Sequence, residues 1–252
     1  MDDRDASAES FREGLFAGCT ALVCGGTSGI GAAIGSALAG LGADVTVSGA
    51  TAVEADAARE AAGFAGISIV LDVRDGEAVE ACMRRFSRLD ILVNCAGVLR
   101  RGAEHDPKVF AEVIDINLTG TMRLCAASRA LLSRSRGCIV NTASMYSFFG
   151  GGHAPAYTAS KGGVAQLTKA LAVAYAPDNI RVNAIAPGWI ATPLTRVVQD
   201  DPQKSGAILA RTPIGRWGEP DDVAGAAVFL CSPAAGFVTG VVLPVDGGYL
   251  IA

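Results

Sequence analysis

The fold is decided by Thr20-Ala21-Leu22-Val23-Cys24-Gly25-Gly26-Thr27-Ser28-Gly29-Ile30-Gly31 and by the segment of small residues that follows it. The first five residues form a short apolar run, which is typical of a buried parallel strand. The glycines predict a tight turn, and residues 32–41 predict a helix. In such a unit the backbone can approach a pyrophosphate at the helix N-terminus. The spacing G-x-x-x-G-x-G differs from the commoner G-x-G-x-x-G, and a merely tight turn is the alternative interpretation.

Strand-like and helix-like segments alternate along the rest of the chain. Further strands are expected at residues 44–48, 67–71, 90–93, 138–141, 180–186 and 241–245. Helices are expected at residues 53–62, 77–86, 107–133 and 221–231, with another that begins near Pro155. This alternation is typical of βαβ units, which place parallel strands in one sheet. We therefore predict an α/β fold: a single Rossmann-like, doubly wound parallel sheet of about seven strands with helices on both faces.

Composition limits the classes of protein to which the chain can belong. Half of the 252 residues are hydrophobic and 18% are charged, which is sufficient for one sizeable core. The net charge of −4 does not favour nucleic acid or a membrane as a partner. Residues 1–14 are polar and acid-rich, so we expect a flexible tail before a single domain over residues 15–252.

Seven cysteines are scattered along the chain without a C-x-x-C pair. They indicate buried thiols in a reducing compartment, and hence a cytoplasmic protein. Only two histidines are present, and the cysteines show no ligand spacing. We therefore expect no metal site and no histidine-based catalytic triad.

Tyr157 and Lys161 stand four residues apart in residues 155–161, which read PAYTASK. On a helix, residues i and i+4 share a face, so the phenol and the ammonium are expected to be neighbours. Two unit charges about 4 Å apart at an effective dielectric near ~20 interact by ~4 kcal/mol. Such a lysine lowers the pKa of a phenol by up to ~3 units, which suits proton exchange with a carbonyl or an alcohol. The alternative is an ordinary helix with an exposed lysine and a half-buried tyrosine.

Polar residues also occur where other predicted strands end. Ser144 lies just beyond the fifth strand, where open α/β sheets place their ligands. The second strand ends at Ser48-Gly49, which is expected to face the adenosine ribose of a dinucleotide. Asn117 lies inside the long predicted helix, where it weakens the helix, and a surface asparagine is the alternative.

Together these motifs resemble the short-chain dehydrogenase/reductase family from Cys19 to about Leu250. The resemblance is carried by the glycine loop, Asn94-Cys95-Ala96-Gly97, Pro187-Gly188 and, in the family's order, Asn117, Ser144, Tyr157 and Lys161. The family usually has threonine where Cys24 stands and asparagine where Cys95 stands. Membership implies an oxidoreductase that transfers a hydride between a nicotinamide cofactor and a secondary alcohol or ketone.

The resemblance implies a role for each of four residues. Tyr157 is the general acid and base, and Lys161 lowers its pKa and holds the nicotinamide ribose. Ser144 hydrogen-bonds the reacting oxygen, and Asn117 holds a water in a proton relay. The implied cofactor contacts are Gly25, Ser28, Gly29, Ile30, Gly31, Ser48, Gly49, Asp72, Val73, Asn94, Ala96, Gly97, Tyr157, Lys161, Pro187, Gly188, Ile190 and Thr192. A cofactor-binding regulator without catalysis is the alternative, and four intact catalytic positions disfavour it.

Residues 99–101, 147–151 and 207–218 are similar to the sugar-acid dehydrogenases of this family. They imply a substrate such as a deoxygluconate, whose carboxylate needs a cation, and Arg100 and Arg101 are the candidates. A solvated surface pair is the alternative for both. The expected substrate contacts are Leu99, Arg100, Arg101, Met145, Tyr146, Phe149, His153 and Trp189. The apolar members also suit a cyclic or apolar ketone, and a solvent-facing His153 is equally compatible with the sequence.

The cofactor form is predicted from the residues around the adenosine ribose. Neither the glycine loop nor Gly49-Ala50 offers a cation for a 2′-phosphate, and burying a phosphate without one is costly. Ser48 or Thr51 is expected to hydrogen-bond the ribose hydroxyls. We therefore predict a preference for NAD, with NADP possible because no acid follows the second strand directly. Arg74 would overturn this preference if it folded over the ribose.

The helix from Pro107 and the helix that carries Tyr157 have more apolar residues than one face of a sheet needs. The family pairs these helices between subunits, so the resemblance implies a homotetramer with two-fold interfaces. The predicted partners are therefore a small alcohol or ketone and further copies of the chain.

Overall fold

The computed structural model describes residues 11–60 and 66–252, and its strands form one parallel sheet. The strands are β1 Thr20–Cys24, β2 Asp44–Gly49, β3 Ile67–Val70, β4 Ile91–Asn94, β5 Cys138–Thr142, β6 Arg181–Pro187 and β7 Val242–Val245. Their order across the sheet is β3-β2-β1-β4-β5-β6-β7. The predicted parallel, seven-stranded sheet is confirmed. Residues 1–10 of the predicted tail lie outside the described residues.

Helices connect the strands: α1 Gly29–Gly40, α2 Ala52–Glu60, α3 Gly76–Met83, α4 Pro107–Ile114, α5 Gly120–Ser135, α6 Pro155–Tyr175, α7 Arg196–Gln199, α8 Pro202–Arg211 and α9 Pro220–Cys231. Several begin with an acidic cap, such as Asp75 before α3 and Asp106 before α4. In α1, Ser28 makes no side-chain capping bond, so the cap leaves the first N–H groups of that helix to other partners. No helix in the described part of the chain is long and apolar enough to cross a bilayer.

Each face of the sheet buries its own apolar layer. On one face Ile34 and Leu38 of α1 pack with Val228 of α9 against the strands. On the other face Leu124 of α5 and Leu171 of α6 belong to a second buried cluster. Since both faces are covered, the central strands are apolar throughout rather than alternating, as the sequence predicts for a parallel sheet.

Two segments differ from their predicted structure. The helix predicted over residues 107–133 is interrupted by a π-helical turn at Asp115–Thr119, which places Asn117 in the interior. Residues 192–212, where no helix was predicted, form the 3₁₀ turn Pro193–Thr195 and then α7 and α8. Pro202 in the first turn of α8 and the cap from Asp201 favour that helix. The helix predicted over residues 53–62 is seen to residue 60, and its last two positions lie outside the described residues.

The strand order reverses between β1 and β4, because the chain moves outward from β1 to β3 and then returns to β4. At such a reversal the connections leave the sheet on opposite sides, and a crevice opens at the carboxyl ends of the two strands. The glycine loop follows β1 and residues 95–98 follow β4, so both border this crevice.

Candidate active site

A cavity of about 660 Å³ opens at this crevice, within the volume range of cofactor sites. Its walls come from the glycine loop, from the ends of β2, β4 and β5, from α6 and from the segment after β6. The predicted site residues that line it are Gly25, Ser28, Gly29, Ile30, Gly31, Gly49, Asp72, Val73, Ala96, Gly97, Arg100, Ser144, Tyr157, Lys161, Pro187, Gly188, Ile190 and Thr192.

The glycine loop is shaped for close approach of main chain. Gly25 has a φ of 72°, and a Cβ there would lie 2.4 Å from the backbone nitrogen of Ala96. A Cβ on Gly31 would lie 2.1 Å from the carbonyl oxygen of Gly25. The start of α1, which Ser28 does not cap, faces the same cavity. The loop therefore fits the pyrophosphate of a dinucleotide, which binds backbone N–H groups at helix N-termini.

The polar group at the end of β2 differs from the predicted one. Ser48 is only 1% exposed and does not line the cavity, and its predicted bond to the ribose stays a prediction. Glu54 lines the cavity instead, and its Oε2 accepts a 2.7 Å hydrogen bond from Ala50 N. A Cβ on Gly49 would come 2.7 Å from Glu54 Cβ, so the glycine makes room for this side chain. The strand-end motif could not indicate Glu54, because it comes from the first turn of α2.

Arg74, the cation that could reach a 2′-phosphate, is paired with Asp72. Its Nη2 lies 2.6 Å from Asp72 Oδ2, and its Nε bonds the same carboxylate at 3.1 Å. The hydrogen bond from Arg74 is the main reason that the pKa of Asp72 is lowered. The charge of Arg74 is therefore already balanced at this end of the cavity.

The side chain of Asn94 has a structural role, and its predicted cofactor contact stays a prediction. Its side chain is buried, and Nδ2 donates to Asn141 Oδ1 at 2.8 Å. Asn141 Nδ2 in turn donates to Thr168 Oγ1 at 3.0 Å. These bonds join β4, β5 and α6 beneath the cavity. The Asn94 side chain therefore supports the elements that carry the catalytic candidates.

Tyr157 and Lys161 lie in the first two turns of α6, and Ser144 follows β5. The Ser144 side chain lies beside the Tyr157 hydroxyl. Lys161 Nζ donates to Thr142 O at 2.6 Å and lies 5.6 Å from the centroid of the Tyr157 ring. The structure thus brings the three predicted residues together at the carboxyl end of β5.

The electrostatics of Tyr157 and Lys161 differ from the prediction. Burial raises the pKa of Tyr157 to about 12, and the neighbouring Ser144 side chain opposes the rise. Burial also lowers the pKa of Lys161 to about 8. The predicted lowering of the phenol pKa by Lys161 is not seen, because desolvation penalises both charged forms and the ammonium bonds Thr142. At neutral pH the site therefore holds a protonated phenol.

Asn117 is fully buried in the π-helical turn, which excludes a surface role. Its Oδ1 accepts from Val98 N at 2.8 Å, and its Nδ2 donates to Val98 O at 2.9 Å and to Ser160 Oγ at 3.0 Å. A Cβ on Gly97 would lie 3.3 Å from this Oδ1 and 3.5 Å from Lys161 Nζ. Asn117 therefore ties the loop after β4 to α6 close to Lys161, and its relay role stays a prediction.

An aromatic cluster stands beside Tyr157 on the substrate side. The Tyr146 ring meets Tyr157, Phe149 and His153 edge-on, with ring centroids 6.1, 5.2 and 6.0 Å apart. The structure therefore brings these predicted substrate residues together. Met145, also predicted, is 3% exposed and does not line the cavity.

The two arginines of the loop after β4 have different partners. Arg101 Nη1 lies 3.0 Å from His153 Nε2, and its guanidinium carbon lies 5.9 Å from the centroid of the Trp189 ring. Arg100 lines the main cavity, and its Nη2 pairs with Glu112 Oε1 at 3.1 Å. Of the two arginines predicted to bind a substrate carboxylate, only Arg101 therefore lies with the residues beside Tyr157.

Three further residues of this cleft were not expected from the sequence. The rings of Trp217 and Tyr249 lie 5.8 and 6.5 Å from that of Trp189, and Arg211 lies 4.3 Å over the Tyr249 ring. Arg211 ends α8, and Trp217 and Tyr249 lie in later segments of the chain. Arg211 and Trp217 belong to the stretch 207–218 that resembles sugar-acid dehydrogenases, but that resemblance did not place them in the cleft. Leu99, which was predicted, is half-buried on the loop before Arg100. No group of His, Cys, Asp and Glu in residues 11–60 and 66–252 could hold a metal ion.

A glycine loop and a buried phenol that line the same cavity are the arrangement expected of a nicotinamide-dependent oxidoreductase. Comparison with known proteins supports this class. Residues 25–250 match the family model described as Enoyl-(Acyl carrier protein) reductase. The chain belongs to the short-chain dehydrogenase/reductase family, as its motifs predicted. It is an NAD(P)-dependent oxidoreductase that acts on CH–OH groups.

Relatives with named activities cover nearly the whole chain. The 2-dehydro-3-deoxy-D-gluconate 5-dehydrogenase of Bacillus subtilis is 43% identical over 92% of this chain and 95% of its own. The cis-4-hydroxycyclohexanecarboxylate dehydrogenase of Sinomonas cyclohexanicum is 42% identical over 93% and 97%. A crystal structure of a candidate 2-deoxy-D-gluconate 3-dehydrogenase from Agrobacterium tumefaciens with bound NADP has a TM-score of 0.85 and 40% identity, covering 96% of this chain and 100% of that one. The predicted resemblance to sugar-acid dehydrogenases is therefore confirmed.

Proposed function

We propose that this protein is an NAD-preferring dehydrogenase of a sugar acid of the deoxygluconate type, which interconverts a secondary hydroxyl and the corresponding ketone. The observation that carries the proposal is the guanidinium of Arg101, which stands among aromatic rings beside Tyr157. A sugar acid offers its carboxylate to Arg101 and a CH–OH group to Tyr157. Two of the relatives are named for substrates that bear a carboxylate, which supports the same assignment.

Tyr157 is the proposed general acid and base. Its phenol keeps its proton well above neutral pH because it is buried, so it can donate that proton to a ketone oxygen. Ser144 lies beside the phenol and is placed to hydrogen-bond the same reacting oxygen. Alcohol oxidation needs the opposite transfer, from the alcohol to a phenolate. It therefore requires the phenol to lose its proton first and is expected to speed up as the pH rises.

Lys161 is the proposed contact for the nicotinamide ribose and the exit for the phenolic proton. Its pKa of about 8 lies close to physiological pH, so the amine can both give and accept a proton there. Asn117 stands beside it and fixes the loop after β4. The bound nicotinamide supplies or takes up the hydride, and these residues supply position and proton transfer.

Arg101 is the proposed anchor for the substrate carboxylate, which arginine can hold through two parallel hydrogen bonds. The imidazole of His153, its hydrogen-bonding neighbour, is neutral at pH 7, because burial and then the charge of Arg101 lower its pKa. Among the described residues, no carboxylate lies within ion-pair distance of Arg101. The positive charge on this side of the cleft is therefore available to a carboxylate ligand.

The pair Arg101→Ala and Arg100→Ala tests this assignment. Arg101→Ala should raise KM for the sugar acid by about 10- to 100-fold, because a charged hydrogen bond is lost, and should hardly change KM for a neutral polyol. Arg100→Ala should leave the ratio of the two KM values unchanged. Steady-state kinetics with both substrates measure this ratio. An equal effect of Arg101→Ala on the acid and on the polyol would contradict the proposal.

A cyclic or apolar ketone is the second candidate substrate. The rings of Tyr146, Phe149 and Trp189 give the cleft a large apolar surface. A substrate panel that includes cyclohexanols with and without a carboxylate separates the two candidates. A higher kcat/KM for uncharged cyclic alcohols would favour the second. A catalytically silent regulator would bind the cofactor and convert no member of the panel.

The preference for NAD is proposed to depend on Glu54. Its carboxylate stands at the end of β2, where the adenosine ribose is expected. A 2′-phosphate carries about two negative charges near pH 7, so it would be repelled there. The pairing of Arg74 with Asp72 argues in the same direction. This chain would then differ from the structural neighbour described above, which holds NADP.

A homotetramer in the cytoplasm is also proposed. Phe110 on α4, Met122 on α5 and Val173 on α6 are exposed on the helices that are predicted to pair between subunits. Phe237 and Ile251 are exposed near the last strand. All seven cysteines are free thiols, which suits a reducing compartment. A monomer mass by light scattering at micromolar concentration would refute the tetramer.

A further inference from the structure

One buried carboxylate has no role in the reaction described above. Glu104 lies in the loop between β4 and α4 and is 1% exposed. No cationic side chain in residues 11–60 and 66–252 lies within ion-pair distance of it. A buried charge is costly unless hydrogen bonds satisfy it, so the contacts of this carboxylate show what it is used for.

Both oxygens of Glu104 accept hydrogen bonds from main chain. Oε1 accepts from Arg100 N and Oε2 accepts from Tyr157 N, each at 2.8 Å. The first bond fixes the backbone immediately before Arg101. The second bond holds the acid/base residue by its own backbone. One carboxylate therefore joins the loop of the proposed substrate anchor to the residue that exchanges the proton.

The bond to Tyr157 replaces a cap that α6 lacks. Its N-cap is Ala154, which has no capping side chain, and the first helical residue is Pro155, which has no N–H. The N–H of Tyr157 belongs to the first turn, where no carbonyl of the helix can accept it. Glu104 accepts it from 53 positions away. Its negative charge also suits the positive end of a helix of 21 residues.

Other contacts fasten the same two segments to each other. Gly102 N donates to His153 O at 2.8 Å, and His105 Nε2 lies 3.1 Å from Gly152 O. The contact between Arg101 and His153 belongs to the same seam. Glu104 extends the seam to Tyr157, where the chemistry takes place.

We propose that Glu104 is a positioning residue, which holds the Arg101 loop and α6 in register so that a substrate anchored at Arg101 presents its CH–OH group to Tyr157. This role rests on the proposed functions of Arg101 and Tyr157. Glu104 touches neither the substrate nor the reacting atoms, and it acts through the backbone of Tyr157 and of Arg100.

The charge of Glu104 also affects the proton on Tyr157. Burial raises the pKa of the phenol most, and Tyr146 and Glu104 add to the rise. Ser144 and Arg101 oppose the rise. Removing the charge of Glu104 should therefore make the phenolate easier to form.

Three variants separate position from charge. Glu104→Gln removes the charge and leaves one oxygen to accept one of the two bonds. Glu104→Asp keeps the charge on a shorter side chain that cannot reach both donors. Asp106→Asn is the matched control, since this exposed carboxylate caps α4 in the same loop and asparagine caps as well as aspartate does.

Two measurements are made on full-length protein with bound cofactor. The first is kcat for the best alcohol of the wild-type enzyme. The second is the pH titration of tyrosinate absorbance, from which the signal of Tyr157→Phe is subtracted to isolate Tyr157. The second measurement does not depend on the identity of the substrate, so it stays informative even if no sugar acid is converted. Thermal unfolding confirms that each variant is folded.

Glu104→Gln should lower kcat by about 10- to 100-fold, because a small misplacement of a catalytic group has an effect of that size. It should also move the phenol titration to lower pH. Glu104→Asp should lower kcat by a similar factor and titrate as the wild type does. Asp106→Asn should change neither. If Glu104→Gln is folded and shows wild-type kcat and titration, or changes only the unfolding temperature, the positioning role is wrong.

Discussion

The cofactor side of the cavity is formed largely by main chain, whereas the substrate side is formed by side chains that come from distant segments. On the first side, Gly25 and Gly31 let backbone approach backbone within distances that a Cβ would block. On the second side, Arg101, His153 and Trp189 meet although they lie in three separate loops. The difference shows that the cofactor side depends on a short contiguous motif, whereas the substrate side depends on how the whole chain packs.

The residue that both sides share should show the largest effect. Tyr157→Phe removes the proton donor and keeps the ring, so kcat should fall by about 10³-fold while NADH affinity stays nearly the same. Steady-state rates and fluorescence titration of NADH measure the two quantities. Tyr146→Phe, which removes a neighbouring hydroxyl, is the control and should change kcat far less. A Tyr157→Phe enzyme within tenfold of the wild-type rate would contradict the mechanism.

On the cofactor side, adding a single methyl group at Gly31 should disrupt the glycine loop. Gly31→Ala puts a Cβ against the carbonyl oxygen of Gly25, and main chain cannot move aside easily, so stability should fall by about 3 kcal/mol. NADH affinity should fall with it. Gly40→Ala, in the same helix, meets no atom within 4 Å and should be neutral or stabilising by up to ~1 kcal/mol. Thermal unfolding compares the stabilities of the two variants. Equal effects would mean that the glycine loop has room for a Cβ at Gly31.

Lys161 lies between the two sides, and we expect it to lower the stability of the fold while it supports activity. Its folded pKa of about 8 lies below the ordinary value of 10.5, so its burial cost is fully present below pH 8 and fades as the pH rises towards 10.5. Lys161→Met should therefore stabilise the fold at pH 7 by about 2 kcal/mol, with a smaller gain near pH 10, and should lower kcat, though less than Tyr157→Phe does.

Lys169→Met is the control for this prediction, since Lys169 is exposed on the same helix and its replacement should change stability by less than about 0.5 kcal/mol. Denaturant unfolding at the two pH values measures both variants. A loss of stability in Lys161→Met at pH 7 would show that its bond to Thr142 outweighs its desolvation.

The smallest effect is expected where a side chain enters the cofactor side. Glu54→Gln removes the negative charge beside the expected ribose, and NADPH affinity should rise by roughly tenfold while NADH affinity changes little. Asp56→Asn removes a charge of the same sign from the same helix, where it pairs with Arg59, and should leave the ratio unchanged. Fluorescence titrations with both cofactors give the ratio. If it is the same in Glu54→Gln and the wild type, another group selects the cofactor.

The sequence by itself determined the parallel sheet, the glycine loop and the order of Asn117, Ser144, Tyr157 and Lys161. These features are encoded locally, because strands and helices have characteristic periods and a cofactor loop needs glycines at fixed spacing. The sequence also indicated that the helix is weakened at Asn117, but it did not indicate that this segment forms a π-helical turn.

Only the tertiary structure decided which side chains face the cavity and what charges they carry there. Ser48 and Asn94 stand at predicted strand ends but are buried in the structure, while Glu54 reaches the cavity from the following helix. The phenol of Tyr157 was expected to be acidic beside Lys161, and burial makes it less acidic instead. Orientation, burial and contacts such as that of Glu104 with Tyr157 arise from packing between segments far apart, which spacing along the chain does not encode.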